Sequence, residues 1–222
     1  MCGRYTLTAT TDRIVKYFDS TIIQNLVPRF NVAPSQLAPV VRQLDKERKL
    51  DLFRWGIIPS WSKKGAAASG LINARAETVC EKSSFQESYT SRRCLVPADG
   101  FYEWRKEGSK KQPFRIGFHN GELFAFAGLY QLPVSYKDSQ NRSGLVGNFA
   151  IITTAANKKI APLHHRMPVI VKPTDFERWL KGGAKDAQAI MKPFDSTDMV
   201  FYRVSRRVNN VKNDDKSCIY PL

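Results

Sequence analysis

The sequence predicts an α+β fold, a single domain over residues 1–222 of curved, mainly antiparallel β-sheets that is barrel-like, with a few short helices. Three observations predict this fold. Many short segments rich in β-branched and aromatic residues are separated by turn residues, which is typical of antiparallel sheet. Only a few short segments have the apolar period of a helix. No linker, repeat or change in composition divides the 222 residues, and a 42% hydrophobic content supplies one core.

The individual elements follow from apolar period, β-propensity and turn residues. Helices are predicted over 11–18, 174–180 and 184–191, with one or two helical turns at 82–89. Strands are predicted over 37–44, 50–55, 94–98, 101–105, 114–118, 123–129, 149–154, 169–171 and 200–204. Loops are predicted where Pro, Gly or polar residues occur without a period, over 27–36, 58–70, 135–144 and 161–168.

Two dipeptides predict tight turns between strands. Asp99-Gly100 separates strands 94–98 and 101–105, and Asn120-Gly121 separates strands 114–118 and 123–129. Both pairs favour the positive φ angles of two-residue hairpin turns. We therefore expect a tight turn at the first pair and a hairpin at the second, which is the strongest hairpin signal in the chain.

The net charge is the strongest signal in the composition. The chain has 35 Lys and Arg against 20 Asp and Glu, which gives a net charge of +15 and an isoelectric point near 9.8. This balance favours a polyanion such as nucleic acid as the partner, the alternative being a generic basic surface. We expect no membrane partner, because the sequence has neither an amphipathic basic helix nor an apolar run of ~20 residues.

The N-terminus and the cysteines bear on compartment and cofactors. The first residues lack the basic and apolar regions of a secretory signal, so we expect a cytoplasmic protein. The four cysteines, Cys2, Cys80, Cys94 and Cys218, are then expected to be free thiols. They form no CxxC pair and the chain has 3 histidines, so we expect neither a structural metal site nor another cofactor.

The first four residues, Met1-Cys2-Gly3-Arg4, become reactive if Met1 is removed. Cys2 would then carry an amine that condenses with an aldehyde to an imine, and a thiol that closes the imine to a thiazolidine. The pKa of an α-amine is about 8 and that of a lysine about 10.4, so at neutral pH the terminus has roughly 300-fold more free base than a lysine. Ring closure is intramolecular because both groups belong to one residue. The alternative is an incidental cysteine at a frayed terminus.

Two segments offer groups for acid–base chemistry. Glu103 is flanked by aromatic residues, and strand alternation places it on the same face as Phe101. A carboxylate beside apolar rings has a raised pKa that suits proton transfer, although a surface glutamate on an exposed sheet face fits the residues equally well. His164 and His165 lie in a predicted loop, where one could act as an acid, a base or an oxyanion partner, or be a hydrogen-bonded structural residue.

Several further residues suit a sugar-phosphate or a base. Asn73 and Arg75 share one face of an extended segment, and an amide beside a guanidinium suits a sugar-phosphate. Asn31 and Pro34 lie in a rigid loop whose proline suits an apolar wedge between bases. The tryptophans could stack on bases: Trp55, Trp61 and Trp104. Each has a structural alternative: loop hydrogen bonds for the first pair, a fixed turn for the proline, and the core for tryptophan.

Nine short segments occur in order from residue 1 to about residue 213 and together resemble a known family. They are MCGR, FNVAPSQ, RWGIIPSW, INARAET, RCLVPADGFYEW, FAGLY, IITTAA, LHHRMPVI and VSRRVNNVKN. The set is similar to that of the SOS-response-associated peptidase (SRAP) family, the abasic-site processing proteins. The resemblance covers nearly the whole chain, and the ordered set is far more specific than any one segment.

The resemblance implies a covalent reaction with DNA. Met1 is removed, and Cys2 attacks the ring-opened aldehyde of an abasic site in single-stranded DNA, giving a thiazolidine crosslink that protects the lesion during replication and the SOS response. The matching implies that Asn73 supports the Cys2 end and the opened sugar, and that Glu103 is the acid/base for ring opening and crosslinking. It further implies that His164 acts on the sugar hydroxyl and in reversal. An associated autopeptidase or lyase-type activity is also implied.

The same matching implies further contacts and partners. Arg4, Arg75 and Arg166 are expected near phosphates, and Pro34 near the kinked strand. The expected partner is single-stranded DNA with an abasic site, bound covalently by a monomer, with replication-fork proteins as further candidates and the nucleoid as the place of action in a bacterium. The chain departs from the family where His165 replaces the usual Asp, which could alter the neighbouring histidine or the rate of reversal.

Two alternative functions fit the same residues. One is a cysteine-type peptidase, with Cys2 as nucleophile and His164 or Glu103 as base, acting on its own N-terminus or on other proteins. The other is a non-catalytic binder of single-stranded nucleic acid, which the net charge of +15 supports. A covalent product with abasic DNA would distinguish the crosslinker from the non-catalytic binder.

Overall fold

The computed structural model describes residues 2–22, 25–59, 70–137, 143–195 and 197–222. Strands dominate these ranges. The strands are β1 Tyr5–Leu7, β2 Ser20–Ile22, β3 Arg29–Val32, β4 Leu37–Leu44, β5 Glu47–Trp55, β6 Asn73–Arg75, β7 Arg93–Ala98, β8 Gly100–Glu107, β9 Lys110–Phe118, β10 Phe124–Lys137, β11 Ser143–Ala155, β12 Arg166–Pro168, β13 Ile170–Val171 and β14 Met199–Arg203. The α-helices are α1 Thr11–Phe18, α2 Gln86–Ser91, α3 Phe176–Lys181 and α4 Ala184–Ile190. The predicted α+β class is confirmed.

The larger sheet closes on itself. Its strands follow the order β12-β11-β10-β7-β4-β5-β2, and the neighbours from β11 to β5 are antiparallel. Strand β5 then pairs with β11 in parallel, with Asn148 opposite Arg54 and Phe149 opposite Trp55. This contact turns five strands into a ring, and closing a sheet in this way requires curved, tilted strands. The predicted curved, barrel-like sheet is therefore confirmed.

The smaller sheet is antiparallel, with the order β14-β9-β8-β1-β3. Strand β1 begins at Tyr5, three residues after Cys2, and lies between β8 and β3. Tyr5 of β1 is opposite Phe101 of β8 on one side and Val32 of β3 on the other. The start of the described chain is therefore held inside a sheet, because pairing on both sides fixes the main chain of β1.

Aromatic side chains fill the core around β1. The Tyr5 ring contacts the rings of Trp55 and Phe126 at 5.3 and 5.8 Å, and Trp55 stacks on Phe149 at 6.1 Å with planes 10° apart. All four side chains are fully buried. A separate small cluster, with Tyr102 and Val208 among its members, lies under the C-terminal segment. The N-terminal strand is thus anchored by packing as well as by hydrogen bonds.

Each dipeptide predicted as a tight turn lies between two strands that belong to different sheets and do not pair with each other. Strands β9 and β10, on either side of Asn120-Gly121, belong to different sheets, so the predicted hairpin is wrong, although Gly121 has a φ of +60°. Strands β7 and β8 are likewise in different sheets. Gly100 makes room for Arg115 at their corner, because a Cβ there would lie 2.6 Å from the guanidinium carbon and displace this side chain.

Asp99 fastens the same corner to β1. Its carboxylate accepts hydrogen bonds from the Thr6 hydroxyl at 2.5 Å, from the Thr8 amide and hydroxyl at 2.5 and 2.8 Å, and from Arg115 at 3.3 Å. Asp99 and Arg115 form a nearly buried ion pair, with side-chain exposures of 4% and 10%. The network holds β1 in register with the strands on which the site is built.

Three segments predicted as loops contain strands, one of them β12 within 161–168. Strand β3 forms within 27–36, where the Asp214 carboxylate accepts hydrogen bonds from the backbone amides of Phe30 and Asn31 at 2.5 and 2.8 Å. Strands β10 and β11 extend into 135–144 and pair as far as Lys137 opposite Ser143. Residues 60–69 and 138–142 of the predicted loops lie outside the described residues. In the ranges that the structure describes, no helix is both long and apolar enough to cross a membrane.

Candidate functional site

Cys2 lies just before β1 and is fully buried. The side-chain amide of Asn73, on β6, donates a hydrogen bond to the Cys2 carbonyl at 2.9 Å. Strand β6 is itself held by parallel pairing with β11, where Asn73 is opposite Ile151. On the other side, the Arg4 carbonyl accepts from the Tyr102 amide of β8 at 3.0 Å. The main chain around Cys2 is therefore fixed from both sheets.

The other end of the Asn73 amide remains available as an acceptor. Its Oδ1 is buried and has no hydrogen-bond partner among the residues that the structure describes. Buried polar atoms are nearly always hydrogen-bonded, so an unused acceptor at a site is a place for a donor from a substrate or a chain terminus. Because Asn73 Nδ2 is hydrogen-bonded to the Cys2 carbonyl, the Asn73 Oδ1 atom also lies close to Cys2.

Glu103 is, like Cys2, a buried residue of the site, with 3% exposure. It lies on β8 between Tyr102 and Trp104, which pack in the small cluster, and it alternates with Phe101, which packs in the main core. The predicted assignment of faces is confirmed. Burial raises the pKa of Glu103. Burial also raises the pKa of the Cys2 thiol, and the Glu103 charge raises it further.

One ring nitrogen of His164 faces the main chain of Arg166. Its Nδ1 lies 2.9 Å from the Arg166 amide nitrogen, from which it can accept, and 3.2 Å from the Arg166 carbonyl oxygen, to which it can donate. These contacts allow either tautomer of the neutral ring. Burial lowers the pKa of His164, which favours the neutral ring over the charged one. The exposed His165 ring stacks on it, with centroids 4.3 Å apart and planes 25° apart.

The C-terminal segment 206–213 contacts three of the residues predicted to bind DNA. Arg4 donates to the Asn31 side-chain oxygen at 2.8 Å and to the carbonyls of Val208 and Asn209 at 2.7 and 3.2 Å. Asn31 is fully buried, and its Nδ2 donates to three carbonyls of the same segment. The half-buried Trp104 indole donates to Asn209 Oδ1 at 2.8 Å. Contacts of Arg4, Asn31 and Trp104 with DNA stay predictions.

The remaining predicted binding residues differ in accessibility. Arg75 is exposed on the strand that carries Asn73, and Pro34 is half-buried in the turn after β3. Arg166 points inward and donates to the Glu77 carboxylate at 2.6 and 2.9 Å. Trp61 lies outside the described residues. Their contacts with DNA also stay predictions.

Sequence reasoning missed the residues that hold the others in place. Glu77, Asn209 and Asp99 each bond a site residue or the strand next to it. Glu77 and Arg166 are 89 residues apart, and Trp104 and Asn209 are 105 apart. Partners so distant leave no local pattern. The one available signal is that Glu77 and Asn209 fall inside the segments INARAET and VSRRVNNVKN.

Other features of the described residues contribute nothing to this site. Among them, no three His, Cys, Asp or Glu side chains lie close enough to hold a metal ion. A cleft of about 690 Å³, with Tyr17, Phe124 and Lys172 in its lining, shares no residue with the site. Its size suits a small ligand, but the buried thiol, carboxylate and amide lie elsewhere.

Comparison with known protein families accounts for this arrangement. The model of the family described as SOS response associated peptidase (SRAP) matches residues 1–211. This chain belongs to the SRAP family. The matched range contains Cys2, Asn73, Glu103, His164 and Arg166.

Relatives and a solved structure extend the SRAP comparison over the full chain. The chain is 39% identical to abasic site processing protein YoqW of Bacillus subtilis, over 99% of both chains. It is 30% identical to YedK of Escherichia coli, another protein named for abasic site processing, over all of both chains. HMCES of Gallus gallus, with the same descriptive name, is 31% identical over 88% of this chain and 66% of that protein. A crystal structure of a Bacteroides thetaiotaomicron protein superposes with a TM-score of 0.85 at 27% identity, covering 100% of both chains.

Proposed function

We propose that this protein forms a covalent crosslink with an abasic site in single-stranded DNA through Cys2, once Met1 has been removed. The observation that carries the proposal is the meeting of Cys2, Asn73 and Glu103 in one buried site. While Met1 is attached, the nitrogen of Cys2 is a peptide amide and cannot form an imine. Its removal would leave an α-amine beside an amide oxygen and a carboxylate. The names of the relatives support an abasic site as the substrate.

The reaction would proceed in three balanced steps. Opening the closed sugar transfers the proton of the C1 hydroxyl to the ring oxygen and yields an aldehyde. The α-amine then adds to the aldehyde carbon, and one water leaves to give an imine. Finally the thiol adds across the C=N bond: sulfur bonds to carbon, its proton goes to nitrogen, and a thiazolidine ring closes. Because amine and thiol belong to one residue, the last step needs no second encounter.

The three neighbouring side chains would divide the proton transfers and the positioning. Glu103 would take the hydroxyl proton in the first step and protonate the leaving water in the second. Burial moves the pKa of Glu103 upwards, closer to neutral pH, where a group can both accept and release a proton. Asn73 would hold Cys2 by the carbonyl and accept a hydrogen bond from the amine through Oδ1. His164 would form a hydrogen bond with a sugar oxygen.

The state of the thiol fits this order of events. Burial and the Glu103 charge raise the pKa of Cys2, so the thiol keeps its proton at neutral pH. A protonated, buried thiol resists oxidation, because the thiolate is the reactive form. It would lose its proton only when the imine forms next to it, and the Glu103 carboxylate would pass that proton to the imine nitrogen.

The surface charge supports binding of the DNA strand. A net charge of +15 attracts phosphates without reading sequence, as a lesion that can occur anywhere requires. The exposed Arg75 would contact a phosphate next to the lesion. The Trp104 indole, held by Asn209, would stack on a base, and Pro34 would lie against the bend of the strand.

Formation of the crosslink is the direct test. Protein lacking Met1 is incubated with an oligonucleotide carrying one abasic site and run on a denaturing gel, where a band of lower mobility is expected. Cys2→Ala should give no such band, and Cys80→Ala, which alters an exposed cysteine, should give the wild-type yield. An equal band from Cys2→Ala would refute the proposal. Salt-sensitive binding without any covalent product would favour a non-catalytic binder.

The family description favours a second activity, removal of Met1 by the protein itself. The Cys2 thiol is next to the Met1–Cys2 bond in the chain, and the Glu103 charge acts on that thiol. The intact masses of the Glu103→Ala and Cys2→Ser proteins test this activity. Retention of Met1 in both variants would support it, whereas loss of Met1 in both would assign the removal to an aminopeptidase.

A further inference from the structure

The outer end of the β8–β9 hairpin carries two lysines that face each other. Lys106 of β8 is directly opposite Lys111 of β9, and both residues are exposed. Side chains directly opposite in an antiparallel pair have Cβ atoms about 4.5–5.5 Å apart, and like charges in such positions are destabilising. The hairpin therefore concentrates positive charge at a position where repulsion acts against the pairing of its own strands.

No acidic side chain of the hairpin compensates this charge. Besides the glutamate of the candidate site, the hairpin has one carboxylate, Glu107, and it pairs with Arg105 and Arg203. Strand alternation places Glu107 and Arg105 on the face opposite to that of Lys106. Within the part of the chain that the structure describes, neither Lys106 nor Lys111 takes part in an ion pair. The two ammonium groups are therefore available to an anion from outside the protein.

The two lysines share a face of the hairpin with Trp104. Trp104 precedes Lys106 by two residues on β8 and is opposite Pro113 of β9, so alternation places the indole and both lysine side chains on one face. Two residues of a strand span roughly 6.8 Å, which is close to the length of one nucleotide in an extended strand. A DNA strand with one base stacked on Trp104 would therefore bring its next phosphate to the lysine pair.

The chemistry of the pair suits a single phosphate. Two ammonium groups on directly opposite residues can converge on one tetrahedral anion, and lysine binds phosphate as a point charge without a fixed orientation. Because both side chains are exposed and carry no internal ion pair, a phosphate would displace only water and counterions. Such a contact reads no base, as binding at a lesion in any sequence requires.

We propose that Lys106 and Lys111 form a phosphate subsite, one nucleotide outward from the base on Trp104, which holds the DNA strand on one side of the abasic site. The inference rests on the proposed function, because it uses a lesion at Cys2 and a base stacked on the indole. It gives the strand a direction, along the β8–β9 hairpin and away from the buried groups around Cys2.

The salt dependence of binding to unmodified single-stranded DNA tests the subsite. Each phosphate contact contributes about 0.7 to the slope of log K against log salt. The double variant Lys106→Gln/Lys111→Gln is expected to lower the magnitude of this slope by about 0.7. The matched control, Lys46→Gln/Lys49→Gln, removes two exposed charges from the β4–β5 hairpin and should leave the slope unchanged. An unchanged slope in the first variant, or an equal drop in both, would overturn the proposal.

Thermal denaturation separates binding of an anion from a structural role of the pair. Because Lys106 and Lys111 repel each other in the folded hairpin, their double variant should melt at the wild-type temperature or above it. A lower melting temperature would show that the pair stabilises the hairpin, against the argument for an external anion.

Two further oligonucleotides test whether the subsite lies on one side of the lesion. One carries the abasic site at its 5′ end and the other at its 3′ end, so that the remaining nucleotides lie on opposite sides of the lesion. The double variant should slow crosslinking of one oligonucleotide and leave the other at the wild-type rate, whereas an equal effect on both would overturn the proposal. If the wild-type protein crosslinks no abasic oligonucleotide, the proposed function fails, and the salt slope with unmodified DNA still decides the subsite.

Discussion

Replacing Glu103 by Gln should slow crosslinking and stabilise the fold at the same time. The substitution keeps the size and shape of a side chain that is 3% exposed, and it removes the charge. A carboxylate whose pKa is raised by burial is less stable as an anion in the folded protein than in the unfolded chain. The residue proposed to move protons therefore weakens the fold at neutral pH.

The sign of the stability effect follows from the direction of the pKa shift. As pH rises from the ordinary value of 4.5 through the higher value in the folded state, the wild type loses stability, because the folded form holds its proton longer. Gln has no such loss. The gain from Glu103→Gln should be near zero in acid and complete above the folded-state pKa. Stabilising substitutions of this kind contribute roughly 0.5–2 kcal/mol.

The size of the kinetic effect follows from the proposed role. A positioned acid–base group contributes about 10²–10⁴-fold to a rate, and each factor of ten is about 1.36 kcal/mol of barrier. We therefore expect Glu103→Gln to slow crosslinking by at least about 10²-fold. The melting temperature should rise by about 2–4 °C for each kcal/mol gained.

The assay combines single-turnover crosslinking on denaturing gels with thermal denaturation between about pH 4 and about pH 8. Glu107→Gln is the control, because Glu107 lies on the same strand but pairs with Arg105 and Arg203 at the surface, which lowers its pKa. That variant should crosslink normally without a gain in stability. Wild-type crosslinking by Glu103→Gln would refute the assigned role, and an unchanged melting temperature would refute the argument from burial.

Three further predictions concern the thiol, the corner at Asp99 and the indole. Cys2→Ser should still form an imine that borohydride traps, but it should give little product without reduction; an adduct as durable as the wild type's would exclude the thiazolidine. Asp99→Ala should lower the free energy of unfolding in urea by about 3–5 kcal/mol, because it leaves Arg115 as an unpaired, nearly buried charge, and a change below about 1 kcal/mol would contradict this. Asn209→Ala should weaken binding of single-stranded DNA by about 3–10-fold, a part of the stacking energy of one base, as it frees the Trp104 indole; an affinity equal to the wild type's would count against stacking.

The sequence predicts those features of the fold that depend on local pattern. The bounds of α1 and β4 agree with apolar period and β-propensity, because each element buries one continuous face. Alternation around Glu103 assigns its face correctly for the same reason. The barrel-like curvature follows from many short strands in a chain with one core.

The features that sequence reasoning misses depend on contacts between distant residues. Asn120-Gly121 has the composition of a hairpin turn, but the strands beside it find better partners in two different sheets. Arg4 and Val208, which are 204 residues apart, meet because β1 pairs with β8 and the C-terminal segment packs on Tyr102 of β8. An asparagine such as Asn31 suits a contact with DNA and an internal hydrogen bond equally well. Its burial is seen only in the structure.

The candidate site shows the same division. Cys2, Asn73 and Glu103 can each be selected from the sequence by chemistry and by resemblance to a family. Their meeting depends on the pairing of β6 with β11 and of β1 with β8, which no local pattern encodes. The residues that hold the neighbouring elements in place, such as Asp99 beside β1, show no sign of this role in the sequence. Physical reasoning therefore finds reactive groups more readily than the groups that position them.

The intact mass of the purified protein, before and after exposure to an oligonucleotide with one abasic site, tests the central claim most directly. The proposed chemistry predicts a starting mass without Met1. After exposure it predicts that mass plus the mass of the oligonucleotide minus one water, because imine formation releases water and thiol addition releases nothing. An unchanged mass for protein without Met1, or the same adduct on protein that retains Met1, would contradict the proposed use of the Cys2 amine and thiol.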